Sequence, residues 1–147
     1  MKKLSILFVS CLLSLDIQAQ ADLVPAPQQA QWGNGNYTLP QQPTIACSSA
    51  GIMPAAEYLQ TCLKNYVSIN ASVARGKQGD IRLSVKKGLA KDGYDLKVTE
   101  NGIDIIGADF GGILSGIATL NQLLLIKGSV PFVTISDTPR FGWRGFH

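Results

Sequence analysis

The chain has 147 residues, of which 46% are hydrophobic and 16% charged, with a formal net charge of +3. That length suits one domain of ordinary size, and the apolar content argues for a packed core and against disorder. The positive charge is thin: no basic run is longer than the pair Lys86-Lys87, and no aromatics are interleaved with it, so a nucleic-acid surface has little support.

Residues 1–21 have the pattern of an export signal. Lys2 and Lys3 form a positive start, Leu4 to Leu15 an apolar core too short to span a bilayer, and Ala19-Gln20-Ala21 a small-residue cleavage site. This bacterial-type signal implies a periplasmic or extracellular address and no membrane span. A lipid anchor through Cys11 fits badly, because Phe8-Val9-Ser10 is a poor attachment box. Cys47 and Cys62 remain after cleavage. They are read either as a disulfide or as two separate core thiols.

The expected elements then follow in order. Leu23-Val24-Pro25-Ala26-Pro27 is an extended lead-in, since each proline disfavours helix in the residue before it. Gly33-Asn34-Gly35-Asn36 signals a turn, followed by a short strand Tyr37–Leu39 and a second, Thr44–Cys47. Met53 to Val67 has helical spacing, with Pro54 in the first turn. Ala55, Leu59, Cys62, Leu63, Tyr66 and Val67 form its apolar stripe. Asn70-Ala71-Ser72 matches a glycosylation sequon by pattern only. Asp80 to Val85 alternates as a strand, with Ile81, Leu83 and Val85 inward, and 86–92 is a polar turn.

Residues 93–107 read as a β-hairpin. Gly93–Thr99 alternates, Glu100-Asn101-Gly102 turns, and Ile103–Gly107 returns. Tyr94, Leu96, Val98, Ile103 and Ile105 are expected inside, with Asp95, Lys97 and Asp104 in water. Asp109 is a suitable N-cap for a helix from Phe110 to Ile126 that ends at Lys127-Gly128. Gly111, Gly112 and Gly116 weaken that helix unless it lies close on a sheet. They do not form a phosphate loop, which needs a Gly-Lys-Ser/Thr ending or a G-x-G-x-x-G opening. An exit strand is expected near Val130–Ile135. The order of elements points to an α+β fold: a small antiparallel or mixed sheet with two helices packed on one face.

The candidate chemistry is sparse. His147 is the only histidine and has no nearby base or carboxylate partner in sequence. Ser48, Ser49 and Cys47 lack a general base. Nothing clusters with the cysteines as a metal set, and no cofactor box is visible. The closing run, Asp137-Thr138-Pro139-Arg140-Phe141-Gly142-Trp143-Arg144-Gly145-Phe146-His147, is aromatic and carries two arginines. It reads as the start of a further domain.

Several of these features together resemble glycoside hydrolase family 20, the β-N-acetylhexosaminidases. They are the Gly-Tyr strand at 93–94, the Asn-Gly turn, the glycine-containing helix with Gly116-Ile117-Ala118-Thr119-Leu120-Asn121-Gln122-Leu123-Leu124, and Asp137-x-Pro139-Arg140-Phe141-x-Trp143-Arg144-Gly145. Leu23-Val24-Pro25-x-Pro27 and Gly35-x-Tyr37-x-Leu39 sit where that family has its lead-in and first strand. The resemblance implies an N-terminal α+β domain at 22–136 and, at 137–147, the start of a catalytic (β/α)₈ barrel that the chain does not contain. It implies a secreted enzyme that removes terminal N-acetylglucosamine or N-acetylgalactosamine from glycans by a substrate-assisted route. That route needs an Asp-Glu pair, and no Asp-Glu dipeptide occurs in this sequence. The resemblance therefore implies no catalytic, cofactor or metal residues here, glycan contact only through the barrel, and an inactive fragment. It makes Arg140 and Arg144 structural ties to the barrel, and favours burial of Trp143 and Tyr94 between domains over sugar stacking. A freestanding exported domain that binds a glycan or a partner is the alternative.

Overall fold

The computed structural model describes residues 22–124 and 129–139. The expected leader, the helix end at Lys127-Gly128, and Arg140, Trp143, Arg144 and His147 lie outside the described residues.

In chain order the strands are β1 (Gln29–Thr38), β2 (Thr44–Cys47), β3 (Ser72–Arg75), β4 (Ile81–Val85), β5 (Tyr94–Thr99), β6 (Gly102–Gly107) and β7 (Ser129–Asp137). Helix α1 (Met53–Val67) lies between β2 and β3, and α2 (Phe110–Leu124) between β6 and β7. All seven strands form one sheet in the order β1-β7-β5-β6-β4-β2-β3. The sheet is mixed. β1, β7, β5 and β6 run antiparallel to their neighbours, whereas β6, β4, β2 and β3 run parallel. The expected α+β class therefore holds, and no (β/α)₈ barrel occurs among the described residues.

The registers explain why the sheet has one buried face. Reading across it, Trp32, Val133, Val98, Ile103, Ile81, Ile45 and Val73 stand side by side, one from each strand. Two residues along each strand, Ile135, Leu96, Ile105, Leu83 and Cys47 form a second apolar row. The positions between them point to the other face and are mostly polar: Gln31, Thr134, Lys97, Asp104 and Arg82. Period-two alternation thus puts a continuous apolar floor under the helices. Ile45, Ile81, Leu96, Ile103 and Ile105 are fully buried. Each such side chain contributes about 1.5–3 kcal/mol of transfer free energy.

Onto this floor α1 lays Ala55, Ala56, Leu59, Cys62 and Leu63, and α2 lays Ile113, Ile117, Leu120, Leu123 and Leu124. The two helices also touch each other. Helix α2 sits very close to the strands. A Cβ added at Gly116 would come within 2.5 Å of Ile105 Cγ2, and one at Gly112 would collide with the Gly93 carbonyl. The glycines that weaken α2 as an isolated helix are what let it seat.

Four expectations change: the Gly33–Asn36 turn, the strand count, Tyr66 and Val85. Gly33–Asn36 is not a turn ahead of a short strand: β1 runs through it, and the register with β7 breaks between Trp32 and Asn36, leaving a bulge. Glycine is required there, because Gly35 has φ +114° and the Phe132 ring lies over its Cα. Strand β3 was not expected; it carries only Val73 as a large apolar residue. Tyr66, expected on the α1 stripe, is 64% exposed because it falls in the helix's last turn, and Val85, expected inward on β4, is 44% exposed at the strand end. Of the two readings of the cysteines, the structure has the separate core thiols: Cys47 and Cys62 are both buried and free.

Replacing Gly112 by alanine tests this seating. Helix propensity alone favours alanine by about 1 kcal/mol. The obstacle is the backbone carbonyl of Gly93, which no side-chain rotation can clear. Gly112→Ala is expected to destabilise the protein by roughly 1–3 kcal/mol. Urea unfolding checks it, and a gain in stability would show that α2 has room.

Candidate functional site

The polar groups collect at three places. The first is the edge where the lead-in meets the end of β7. The Gln122 side-chain amide of α2 grips Val24: its Oε1 accepts the Val24 N–H at 2.9 Å, and its Nε2 donates to the Val24 carbonyl at 3.1 Å. Gln28 donates its N–H to Asp137 Oδ1 at 3.1 Å and its side-chain amide to the Thr138 carbonyl and hydroxyl at 3.0 and 2.9 Å. Residues 22–28 and 137–139 are thereby stapled together. Two shallow clefts flank them. One, of about 140 Å³, includes Asp92, Tyr94, Thr119 and Asp137 in its lining. The other, of about 210 Å³, includes Gln28, Asp95, Ser136 and Asp137.

The second place is the N-terminus of α2. Asp109 Oδ1 accepts the Gly112 N–H at 2.9 Å, as the sequence implied, and its Oδ2 accepts the Asp92 N–H at 3.1 Å. These bonds to backbone amides hold the Asp109 carboxyl below its ordinary value. The cap therefore also ties the 86–92 loop to the helix.

The third is the opposite end of the sheet. Arg82 forms a two-pronged pair with Asp104, Nε to Oδ1 at 2.6 Å and Nη2 to Oδ2 at 2.8 Å. Its remaining nitrogen, Nη1, donates to the Gly79 and Asn101 carbonyls, each at 2.9 Å. The hydrogen bonds to Asp104 push the guanidinium pKa up. Asp80 bridges β1 to β2 by accepting from the Tyr37 hydroxyl at 3.1 Å and the Thr44 N–H at 2.8 Å. Burial, reinforced by Asp80, raises the Tyr37 pKa.

Tyr94 is buried within this domain, 4% exposed, with its hydroxyl 2.6 Å from Thr119 Oγ1. Its ring is covered by α2, so it is neither a sugar-stacking platform nor a surface awaiting another domain. Burial raises its pKa. Cys47 Sγ lies 3.5 Å from both Met53 Sδ and the Ala74 carbonyl, in apolar company. Among the described residues no three His, Cys, Asp or Glu side chains gather as a metal set. The Gln28, Gln122 and Asp80 bridges were missed by sequence reading. They join residues 36 to 110 positions apart, and no local pattern marks them.

These arrangements can brace and cap. Asp109 shows it most clearly, since its lowered pKa means that folding favours the charged form. The ordinary value is 3.8, so its contribution is in place above about that pH and is lost as pH falls through the lower folded value. Asp109→Ala is expected to cost about 1 kcal/mol at neutral pH. Asp109→Asn should keep most of the cap while flattening the acid limb of stability. Urea midpoints across an acid-to-neutral series check both, and an unchanged midpoint for Asp109→Ala would remove the cap from the account.

Comparison with known proteins gives a consistent result. The sequence model of glycosyl hydrolase family 20, domain 2, matches residues 20–138. The beta-hexosaminidase of Porphyromonas gingivalis is 28% identical over 140 residues, covering 85% of this chain and 18% of that protein. The beta-hexosaminidase of Vibrio vulnificus is 24% identical over 128 residues, covering 86% of this chain and 15% of that protein. The structure of the Streptomyces plicatus N-acetyl-beta-hexosaminidase in complex with Thio-NAglucal matches with a TM-score of 0.75 at 27% identity, over 82% of this chain and 26% of that one. The chain thus spans less than a fifth of the length of these two curated relatives.

Proposed function

The chain belongs to glycosyl hydrolase family 20, and from that premise we propose that residues 22–136 are the non-catalytic N-terminal domain of an exported β-N-acetylhexosaminidase. The whole enzyme would remove terminal N-acetylglucosamine or N-acetylgalactosamine from glycans. The observation that carries this reading is the match of residues 20–138 to domain 2 of the family. The use of the carboxylates supports it. Asp80, Asp95, Asp104, Asp109 and Asp137 each accept a hydrogen bond that joins two parts of the fold. A glycosidase acid must instead gain and lose a proton near its working pH.

On the same reading, residues 1–21 direct export and are removed, and 137–147 lead into the catalytic barrel. Among the described residues no helix is long and apolar enough to cross a membrane. The domain's role is to support and shape that barrel, and glycan contact belongs to the barrel.

The purified chain is expected to release no chromophore from a chromogenic N-acetylglucosaminide above the buffer rate. Turnover that survives repurification would overturn the non-catalytic assignment. N-terminal sequencing of exported material is expected to begin at Asp22, and a start at Met1 would remove the leader from the proposal.

A further inference from the structure

The sequence contains two Asn-Gly pairs, Asn34-Gly35 and Asn101-Gly102, and the fold treats them oppositely. We infer that Asn34 is a site of spontaneous deamidation in the folded protein and that Asn101 is protected by the Arg82 guanidinium.

The chemistry needs only water. The backbone nitrogen of the following residue, having lost its proton to solvent hydroxide, attacks the asparagine Cγ. A new C–N bond closes a succinimide ring, the Cγ–Nδ2 bond breaks, and nitrogen leaves as ammonia. Water then opens the ring at one of its two carbonyls, giving aspartate or isoaspartate. Glycine is the most permissive follower because it has no side chain to hinder the approach. The backbone must also be free to bring that nitrogen onto Cγ.

At Asn34 that freedom exists. The residue is exposed and stands at the bulge of β1, where 33–35 have no register partners on β7. The attacking nitrogen, that of Gly35, is therefore outside the ladder on that side. The bulge also dictates glycine as the residue after Asn34. Gly35 has φ +114° and lies under Phe132, where an added Cβ would come within 2.7 Å of the ring. The position has no room for a bulkier follower that would slow ring closure.

At Asn101 the same dipeptide is clamped. Arg82 Nη1 donates to the Asn101 carbonyl at 2.9 Å, and the Asn101 N–H donates to Thr99 Oγ1 at 3.3 Å. Gly102 is paired with Thr99 in the ladder, and the next residue, Ile103, donates its N–H to the Asp80 carbonyl at 2.9 Å. An added Cβ on Gly102 would meet that carbonyl at 2.5 Å. Moving the Gly102 nitrogen onto Asn101 Cγ requires all of these to yield. Conversion at Asn34 would place a negative charge and, in the isoaspartyl product, one extra backbone carbon in the strand that pairs with β7.

The test is peptide mapping by mass spectrometry of the full chain aged in mildly alkaline buffer, reading the mass gain as NH₂ is replaced by OH. In the native protein, Asn34 is expected to convert at least roughly tenfold faster than Asn101, a ratio equivalent to about 1.4 kcal/mol of barrier. In urea the two rates should converge. Arg82→Met, if folded by circular dichroism, should speed Asn101 and leave Asn34 unchanged. Equal native rates, a faster Asn101 or no conversion at Asn34 would overturn the inference, as would an unmoved Asn101 rate in a folded Arg82→Met. If that variant does not fold, the native-against-urea comparison decides alone.

Discussion

The fold depends on one constraint: two apolar rows must cross the whole sheet on the same face. Trp32, Val133, Val98, Ile103, Ile81, Ile45 and Val73 make one row, and each neighbour belongs to a different strand. A slip of one residue in any strand would turn its contribution into water and bring the Lys97, Asp104 or Arg82 level under the helices. The cost would be several buried aliphatic side chains and one or more buried charges at once. Register is thus set by the core across antiparallel and parallel pairs alike. The polar row on the reverse face reinforces it, since Arg82 on β4 meets Asp104 on β6 only in this alignment.

The helices obey the same floor in different ways. α1 is conventional, with small and aliphatic residues on one stripe. α2 gives up helix propensity at Gly112 and Gly116 to approach the sheet, and its N-terminus is held by Asp109, which accepts an amide from the helix and another from the loop before β5. The loss in propensity is of order 1 kcal/mol for each glycine. The ten helix residues facing the floor, five from each helix, bury enough apolar surface to outweigh it.

What was legible in the sequence was local. The hairpin could be read because its alternation and its turn lie within fifteen residues. α1 was found with the observed bounds because Pro54 and a clear stripe mark it. Asp109 was legible as a cap because capping acts over three residues. The rest was non-local. β3 is an edge strand with one large apolar side chain, so its place depends on β2 beside it. Parallel pairing leaves no turn to read. The Gly33–Asn36 segment has turn composition, yet β7 holds both sides of it, so the same glycines make a bulge. The Gln122–Val24 and Gln28–Thr138 staples join positions whose polarity alone announces nothing.

The electrostatics of the described residues are those of fixed, hydrogen-bonded groups. A catalytic acid or base must sit near the pH at which it works, which takes burial of a carboxyl or a like-charged neighbour. Among the described residues no carboxyl has a resolved upward shift, and Tyr58 is raised by its hydrogen bond with Cys62. Asp109 is lowered by amides, Arg82 is raised by Asp104, and Tyr37 and Tyr94 are raised by burial. Each group is driven further into the charge state it already has at neutral pH. The charges that this domain does place are therefore fixed ones, used to hold β4 to β6, α2 to its preceding loop, and the lead-in to the end of β7. Gln28 and Gln122 fasten that last junction to β7 and α2. The same few polar side chains thus join the two ends of the described chain to the sheet and to α2.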